Sequence, residues 1–341
     1  MWNPLLASRA GGVAYTADRG HARSGPGVRA IAAALGRRVV QAVLVALAVG
    51  SLCFLLVRLL PGDMALRIAA GRYGYDMVSV VAAEAVRAEL GLDRPVLVQF
   101  LAWLSRLARG DLGISLVTGE AVADEIRHQL GATLTLSAAA LLLSVLVGPP
   151  LGLVMGLRPG GVLDRIGLGL ASALRALPAF VIGVALIVVV SVRFGALPAA
   201  GHGEAEHLVL PAVTLALGLA AVSSRVARDA MAAVWASPYC AFARTKGLGE
   251  AAVLLRHGLR NAAVPILAYL GVQLVSLVEG VVVVETLFAW PGIGHALVHA
   301  VVARDVPMVQ GTALALGLIF VLLNALVDLA CLALDPRARQ R

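Results

Sequence analysis

Long apolar runs separated by short polar segments make up most of this chain, and their length is the main structural signal. A helix needs about twenty apolar residues to cross the hydrocarbon core of a bilayer. Six segments meet that length: Val39–Leu60, Leu134–Leu157, Ile166–Val192, Leu208–Ala227, Ala263–Val284 and Thr312–Leu334. The pattern therefore predicts an all-α membrane protein with six transmembrane helices.

Two of the six segments contain helix-breaking residues. The second is interrupted by Gly148, Pro149 and Pro150, and the third carries Arg175 and Pro178. Such residues are tolerated in membrane helices because neighbouring helices satisfy the freed backbone groups. We expect the second span to be broken at its proline pair and the third to cross as one segment.

The stretch between the first two spans is too long for a simple turn. Within residues 61–132, Val78–Leu90 and Pro95–Arg109 have the spacing of amphipathic helices. We predict a first transmembrane helix at 35–60, followed by a small helical insertion at 61–132. A helical core then occupies 133–336, with a polar loop at 229–261 and a short tail at 337–341.

Residues 1–34 differ from the rest of the chain. They are rich in Gly and Arg, with Arg9, Arg19, Arg23 and Arg29, and lack the apolar stretch of a secretory signal peptide. We predict a disordered extension. A translation start downstream of residue 30 stays open as an alternative.

Composition supports a membrane protein. Hydrophobic residues make up 60% of the chain and charged residues only 14%, whereas soluble domains have about 25% charged residues. The formal charge of +8 comes almost wholly from arginine, because Lys246 is the only lysine. A nucleic-acid-binding protein would gather such charge into a stripe with aromatics. Here the charge lies between apolar runs, so no nucleic-acid partner is expected.

The distribution of arginine predicts the orientation in the membrane. The residues before the first span, the turn at 158–165, the loop at 229–261 and the tail are basic, whereas 194–207 contains no Lys or Arg. Cytoplasmic loops carry an excess of these residues. We predict a multi-pass protein of a prokaryotic inner membrane, in contact with lipid, with both termini cytoplasmic and the insertion extracytoplasmic.

The polar loop contains a well-delimited short helix. Ser237 suits the N-cap, Pro238 the first helical position and Gly247 a left-handed C-terminal cap. Arg244 and Lys246 fall in the last turn, where the helix dipole favours cations.

One face of this short helix is predicted to carry an exposed aromatic pair. Tyr239, Phe242, Ala243 and Lys246 follow the i, i+3, i+4, i+7 spacing. The residues alone leave two interpretations open. The helix docks a soluble partner, or it lies on lipid headgroups.

A series of short motifs follows in a fixed order. The loop contains Tyr239, Ala243-Arg244, Lys246-Gly247-Leu248, Arg256-His257, Leu259-Arg260-Asn261 and Pro265. Elsewhere the chain has Arg58–Asp63, Gly91–Pro95, Gly110–Gly113, Glu285-Thr286, Trp290–Gly294, Arg304-Asp305, Asn324, Asp328 and Leu334–Arg337. Over residues 35–340 these motifs resemble the permease subunits of the dipeptide/oligopeptide/nickel family of binding-protein-dependent ABC importers.

The resemblance implies a transmembrane permease that moves di- or oligopeptides, or nickel and its chelates. It implies a second homologous permease subunit, two ATP-binding cassette ATPase subunits and an extracytoplasmic solute-binding protein as partners. ATP and Mg would be bound by the ATPases, and no cofactor is expected in this chain. A P-loop needs the pattern GxxxxGK[ST], and Lys246 does not lie in one. The chain is therefore predicted not to be an enzyme.

The resemblance also assigns the polar loop to ATPase coupling. The coupling residues would be Tyr239, Phe242, Ala243, Arg244, Lys246 and Gly247. The chain departs from the family pattern at Ala241, where a basic residue is usual, and at Arg175, which replaces an apolar residue. His295 and His299 stand where an arginine and an acid are expected.

Charged residues within the spans are candidates for the translocation path. A charge at the bilayer centre costs about 2.5–3.5 kcal/mol on insertion scales, so it usually faces protein or water. Arg175 and Glu279 are such residues, and Asn324 and Asp328 join them as parts of the family pattern. The alternative for Arg175 and Glu279 is a structural ion pair with no contact to cargo.

Metal binding is weakly indicated. His295 and His299 are four residues apart, so on a helix they share a face as two metal ligands would. Surface histidines without metal are commoner, and we predict no metal site. Cys53, Cys240 and Cys331 lack ligand spacing and are read as packing residues.

Two other functions remain open at this stage. A secondary transporter, or a channel-like membrane protein without an ATPase partner, would also have six spans. Neither accounts for the motifs at 239–265. The sequence does not decide between peptide, nickel and other cargo.

Overall fold

A computed structural model of the protein describes residues 28–59, 61–74, 79–90 and 93–334. The predicted extension up to residue 27 and the tail at 337–341 lie outside the described residues. The first helix begins at Val28, earlier than the predicted boundary at residue 35.

The described residues confirm the all-α class, since they hold helices and a single isolated β-bridge between Ile114 and Ala121. The insertion contains α2 (Met64–Tyr73), α3 (Val80–Leu90) and α4 (Val96–Leu107). The other helices are α1 (Val28–Leu59), α5 (Val122–Leu157), α6 (Val162–Ala176), α7 (Ala179–Leu186), α8 (Glu206–Trp235), α9 (Pro238–Thr245), α10 (Glu250–Val253), α11 (Leu259–Leu287), α12 (Ile293–Ala303) and α13 (Val306–Leu334). Short π-helical stretches follow α7 at Ile187–Arg193 and α10 at Leu254–Gly258.

The described helices agree with the predicted membrane spans, with one change of shape. Five are long and apolar enough to cross a bilayer, and there are six when α6 and the segment Ala179–Arg193, which meet at a bend of 103°, are counted as one span. The expected single segment Ile166–Val192 is therefore two helices that meet at Leu177 and Pro178. Leu177 is extended, with φ −88° and ψ 132°, as a residue before proline prefers.

The expected break in the second span is wrong. α5 runs without interruption through Pro149 and Pro150 to Leu157. Pro149 is buried, and tight packing of this part of α5 on α8 holds the helix together.

Three small residues bring α5 and α8 together. Gly148, Gly152 and Gly156 repeat at four-residue spacing and lie directly against the α8 backbone. A Cβ atom on Gly152 would stand 2.0 Å from the carbonyl oxygen of Ser224, and one on Gly156 would stand 2.5 Å from that of Arg228. Helices in membranes associate through such close approach of backbones.

A buried carboxylate organises the corner between α11 and α12. Glu285 accepts hydrogen bonds from the Thr133 hydroxyl at 2.6 Å and from the Gly294 backbone N–H at 2.8 Å. The same Thr133 oxygen accepts from the backbone N–H of Ile293 at 2.9 Å. Glu285 thus has a structural role. It fixes the start of α12 against α5, with Trp290 donating to the Ala132 carbonyl at 2.9 Å.

The predicted orientation leads to a direct experiment. Reporter domains fused after Gly110, in the insertion, and after Gly249, in the polar loop, are expected to lie on opposite sides of the membrane. With the bent pair counted as one span, three spans from α5 to α8 separate these positions, and the basic loop is predicted to stay inside. Enzymatic reporters that are active in only one compartment provide the measurement. Activity of both fusions in the same compartment would contradict the topology.

Candidate functional site

The bend in the third span borders a cavity of about 390 Å³. It lies between α6, α7, α8 and α11, and most of its lining is apolar. The polar side chains that line it are Arg175, Thr214, Tyr269 and Ser276. Thr214 already donates to the Leu210 carbonyl at 2.8 Å. A largely apolar cavity with a few polar groups is the usual form of a small-molecule site.

Among the lining residues whose side chains the structure describes, only Arg175 is charged. It stands in the last turn of α6, three residues before Pro178. Because α6 ends at the bend, the Arg175 guanidinium lies at the cavity that Tyr269 also lines. Arginine recognises carboxylates through a planar set of donors.

The other predicted path residues are not all brought to this cavity. Glu279 stands on α11 between Ser276 and Gly280, both of which line it, but the Glu279 side chain lies outside the described residues. Asn324 is on α13, away from the cavity lining, and donates to the Phe320 carbonyl at 2.8 Å. The side chain of Asp328 is also outside the described part.

The polar loop forms the predicted short helix, α9, and ends it as predicted. Gly247 has a φ of 83°. Its N–H donates to the Arg244 carbonyl at 2.9 Å, and the N–H of Leu248 reaches the Ala243 carbonyl at 3.3 Å. This pair of bonds is a Schellman motif, which needs a left-handed residue at the glycine position.

The start of α9 differs from the prediction. Ser237 occupies the N-cap position, but its side chain makes no capping bond. The hydroxyl donates instead to the carbonyl of Val234 at the end of α8. Ser237 thereby links the start of α9 to the end of α8.

The structure confirms the predicted exposed aromatic pair of α9, although not every residue of that helix face is exposed. Tyr239 and Phe242 are exposed, at 43% and 60%, and the Lys246 ammonium lies 4.7 Å from the centre of the Phe242 ring. Ala243 is buried instead, together with Cys240, because both pack against Val253. The exposed part is therefore an aromatic pair with one cation.

Arg244 anchors the helix rather than facing outward. Its guanidinium lies 4.5 Å from the centre of the Trp235 ring and binds Glu250 at 2.9 Å. Helix α9 is thus fixed to α8 on one side and to α10 on the other. The coupling role of these residues stays a prediction.

An ion pair between α6 and α8 was not predicted from the sequence. Asp164 accepts from Arg228 Nε at 2.8 Å and Nη2 at 2.7 Å, and from the Gly160 N–H at 2.7 Å. Asp164 is buried, with 2% of its side chain exposed. The two residues are 64 positions apart, so no periodic pattern in the sequence relates them. The ion pair becomes apparent only in the folded structure.

The histidine pair is adjacent but does not form a metal site by itself. The rings of His295 and His299 lie 4.4 Å apart. No group of three possible metal ligands occurs among the residues described here. Burial and the neighbouring His299 lower the pKa of His295. Cys240 is buried and Cys53 half-buried, in keeping with packing roles, while the Cys331 side chain is outside the described residues.

Comparison with known proteins identifies relatives along most of the chain. The family described as binding-protein-dependent transport system inner membrane component matches residues 148–340, and its N-terminal counterpart matches residues 32–137. The glutathione transport system permease protein GsiC of Pectobacterium atrosepticum is 40% identical over 290 residues, which cover 85% of this chain and 93% of the relative. GsiC of Escherichia coli K12 is 38% identical over 293 residues, covering 86% and 94%.

Solved structures support the fold. The MetNI methionine ABC transporter, in inward-facing conformations, aligns with a TM-score of 0.52 at 18% identity, covering 62% of this chain and 96% of that chain. An amino acid ABC transporter with histidines aligns with a TM-score of 0.50 at 17% identity, covering 61% and 93%. The motifs, the spans, the family matches and these folds agree. The chain belongs to the inner membrane components of binding-protein-dependent transport systems, and it is a permease subunit of an ABC importer.

Proposed function

We propose that this permease imports glutathione or similarly small peptides delivered by a solute-binding protein. The observation that carries the proposal is the cavity at the bend, where Arg175 faces an otherwise largely apolar space of about 390 Å³. A volume in this range suits a ligand of two or three residues. Glutathione carries two carboxylates, which a guanidinium can bind through paired hydrogen bonds.

The relatives favour this cargo over nickel. Those reported above are named as glutathione transport permeases. Nickel would need a set of nitrogen, oxygen or sulphur ligands, and the described residues contain no group of three. Nickel transport is therefore the weaker candidate.

In the proposed assembly, this chain pairs with a second, homologous permease. Two ATPase subunits dock on the exposed aromatic pair of α9 in each permease, and their ATP-driven closure moves the spans as packed bodies. ATP and Mg belong to the ATPases. The extracytoplasmic side receives the loaded binding protein.

Transport by the reconstituted complex tests the cargo. The permease pair, its ATPases and its binding protein are placed in liposomes, and uptake of glutathione, of dipeptides and of Ni²⁺ is measured with ATP. Uptake of glutathione or dipeptides that depends on ATP is expected. Uptake of Ni²⁺ without peptide uptake would contradict the proposal.

Arg175→Leu is expected to weaken cargo handling. Removal of a hydrogen-bonded charge partner costs about 1.5–3 kcal/mol, so the KM for transport should rise at least about tenfold. Arg193→Leu is the matched control, because Arg193 lies at the far end of the same bent segment and does not line the cavity. Equal KM values for the two variants would remove Arg175 from the path.

A further inference from the structure

A second, larger cavity lies at the other end of the molecule from the coupling loop. It has a volume of about 750 Å³ and is formed by α2, the segment at 115–118, the first turns of α5, and α12. α5 joins the two ends: its 36 residues span about 54 Å at 1.5 Å per residue. We name this cavity the distal cleft, after its position relative to α9.

Two buried polar atoms in the distal cleft lack partners. Gln129 Oε1 and His295 Nδ1 are both buried and have no hydrogen-bond partner in the described part of the chain. Both residues line the cleft, Gln129 from α5 and His295 from α12. Buried polar atoms are nearly always hydrogen-bonded, so each such exception needs an explanation. A ligand in the cleft would supply one.

Both unsatisfied atoms can accept hydrogen bonds. An amide oxygen only accepts. Burial and the proximity of His299 lower the pKa of His295, which favours the neutral imidazole, and Nδ1 is an acceptor in the tautomer that carries the proton on Nε2. A ligand that carries donors therefore fits both atoms.

The charge of the cleft also favours a cation. Glu125 lines it, and only one of its carboxylate oxygens is bonded, to the Thr118 hydroxyl. No Arg or Lys lines the cleft within the described ranges. Asp305, its other carboxylate, is already bound by Ser115 and by the backbone N–H groups of Val117 and Met308.

We propose that the distal cleft binds a protonated primary amine, such as the amino terminus of a peptide, through Glu125, Gln129 and His295. An ammonium group has three donors and no acceptor, which matches these three acceptors from two walls. As a cargo site, the proposal rests on the proposed peptide import. The cleft then receives the ammonium end of a peptide, and Arg175 in the bend cavity receives a carboxylate.

Direct binding tests the cleft without relying on transport. The assembled complex in lipid nanodiscs is titrated with glycylglycine methyl ester, which has an amine and no carboxylate, and with its N-acetyl derivative. We expect the free amine to bind at least about tenfold more tightly than the acetylated form. Glu125→Gln should reduce that preference about tenfold, because it removes the charge and keeps the shape.

A substitution of the neighbouring acid serves as the control. Asp124→Asn changes the neighbouring acid, which is exposed, pairs with Arg127 and does not line the cleft, so the preference should be unchanged. Equal binding of the two esters, or an unaltered preference in Glu125→Gln, would overturn the proposal. A third result would also overturn the proposal: the complex binds Ni²⁺ tightly, His299→Ala abolishes that binding, and the amine does not bind.

Transport separates this inference from the proposed function. Uptake of glutathione is compared with uptake of N-acetylglutathione in the liposome system. If wild-type complex binds the amine but imports no peptide, the proposed cargo fails and the amine site stands. If it imports both peptides with the same KM and binds both esters equally, the cargo stands and the amine site fails.

Discussion

Gly152→Ala is expected to prevent stable packing of α5 on α8. The added Cβ atom would stand 2.0 Å from the Ser224 carbonyl oxygen and 2.8 Å from the Ala227 Cβ. The first of these is a backbone atom, which cannot rotate away as a side chain can. Overpacking usually costs about 1–3 kcal/mol, and here whole helices must separate. We expect a marked loss of folded protein in the membrane, measured by yield and by thermal unfolding in detergent.

Gly131→Ala is the matched control for this substitution. Gly131 lies on the same helix, and a Cβ atom there would meet nothing within 4 Å. Alanine is favoured over glycine in a helix by about 0.5–1 kcal/mol, so the variant should be as stable as the parent or slightly more so. Equal stability of Gly152→Ala and Gly131→Ala would show that the glycine contact does not hold the two spans.

Gly247→Val is expected to uncouple ATP hydrolysis from transport. Gly247 has a φ of 83°, where an L residue costs about 1–2 kcal/mol, and a β-branched side chain fits least well. The Schellman motif should open, and α9 should lose its fixed angle to α8. A cost of this size corresponds to about a tenfold loss of rate. We therefore expect little transport and no stimulation of ATPase activity by loaded binding protein.

Insertion and folding of this variant should be unchanged, which separates coupling from stability. Gly249→Ala serves as the control, because Gly249 has an ordinary φ of −68° and open space around it. Both glycines have room for a side chain, so only the backbone conformation of Gly247 distinguishes them. Normal transport by Gly247→Val would refute the coupling role of α9.

Features that depend on local pattern were predictable from the sequence. The apolar runs located the spans, because length and hydropathy alone decide whether a helix can cross a bilayer. The left-handed cap at Gly247 followed from the residue type and its position after a basic last turn. The amphipathic spacing located α3 and α4 in the insertion to within a few residues.

Features that depend on neighbouring helices were not predictable. Pro149 and Pro178 both lie within long apolar runs of the sequence. Of the two, only Pro178 lies at a helix boundary. The first is held within α5 by close packing on α8, and nothing local records that contact. The spacing puts Ala243 on the same helix face as the exposed aromatic pair, and nothing local records that it is buried under α10. The bend cavity likewise joins residues of separate helices, and its existence follows from their packing.

The ion pair between Asp164 and Arg228 couples any movement of α8 to the first turn of α6. The ion pair fixes the first turn of α6 to α8, whose end leads into α9, while Arg175 stands in the last turn of α6. Asp164 and Arg175 are 11 residues apart, which gives an arm of about 16 Å at 1.5 Å per residue. A tilt of about 7° at the clamped end would therefore move Arg175 by about 2 Å. A displacement of that size breaks a hydrogen bond, so in the proposed import cycle a small rotation of α8 would release cargo from Arg175.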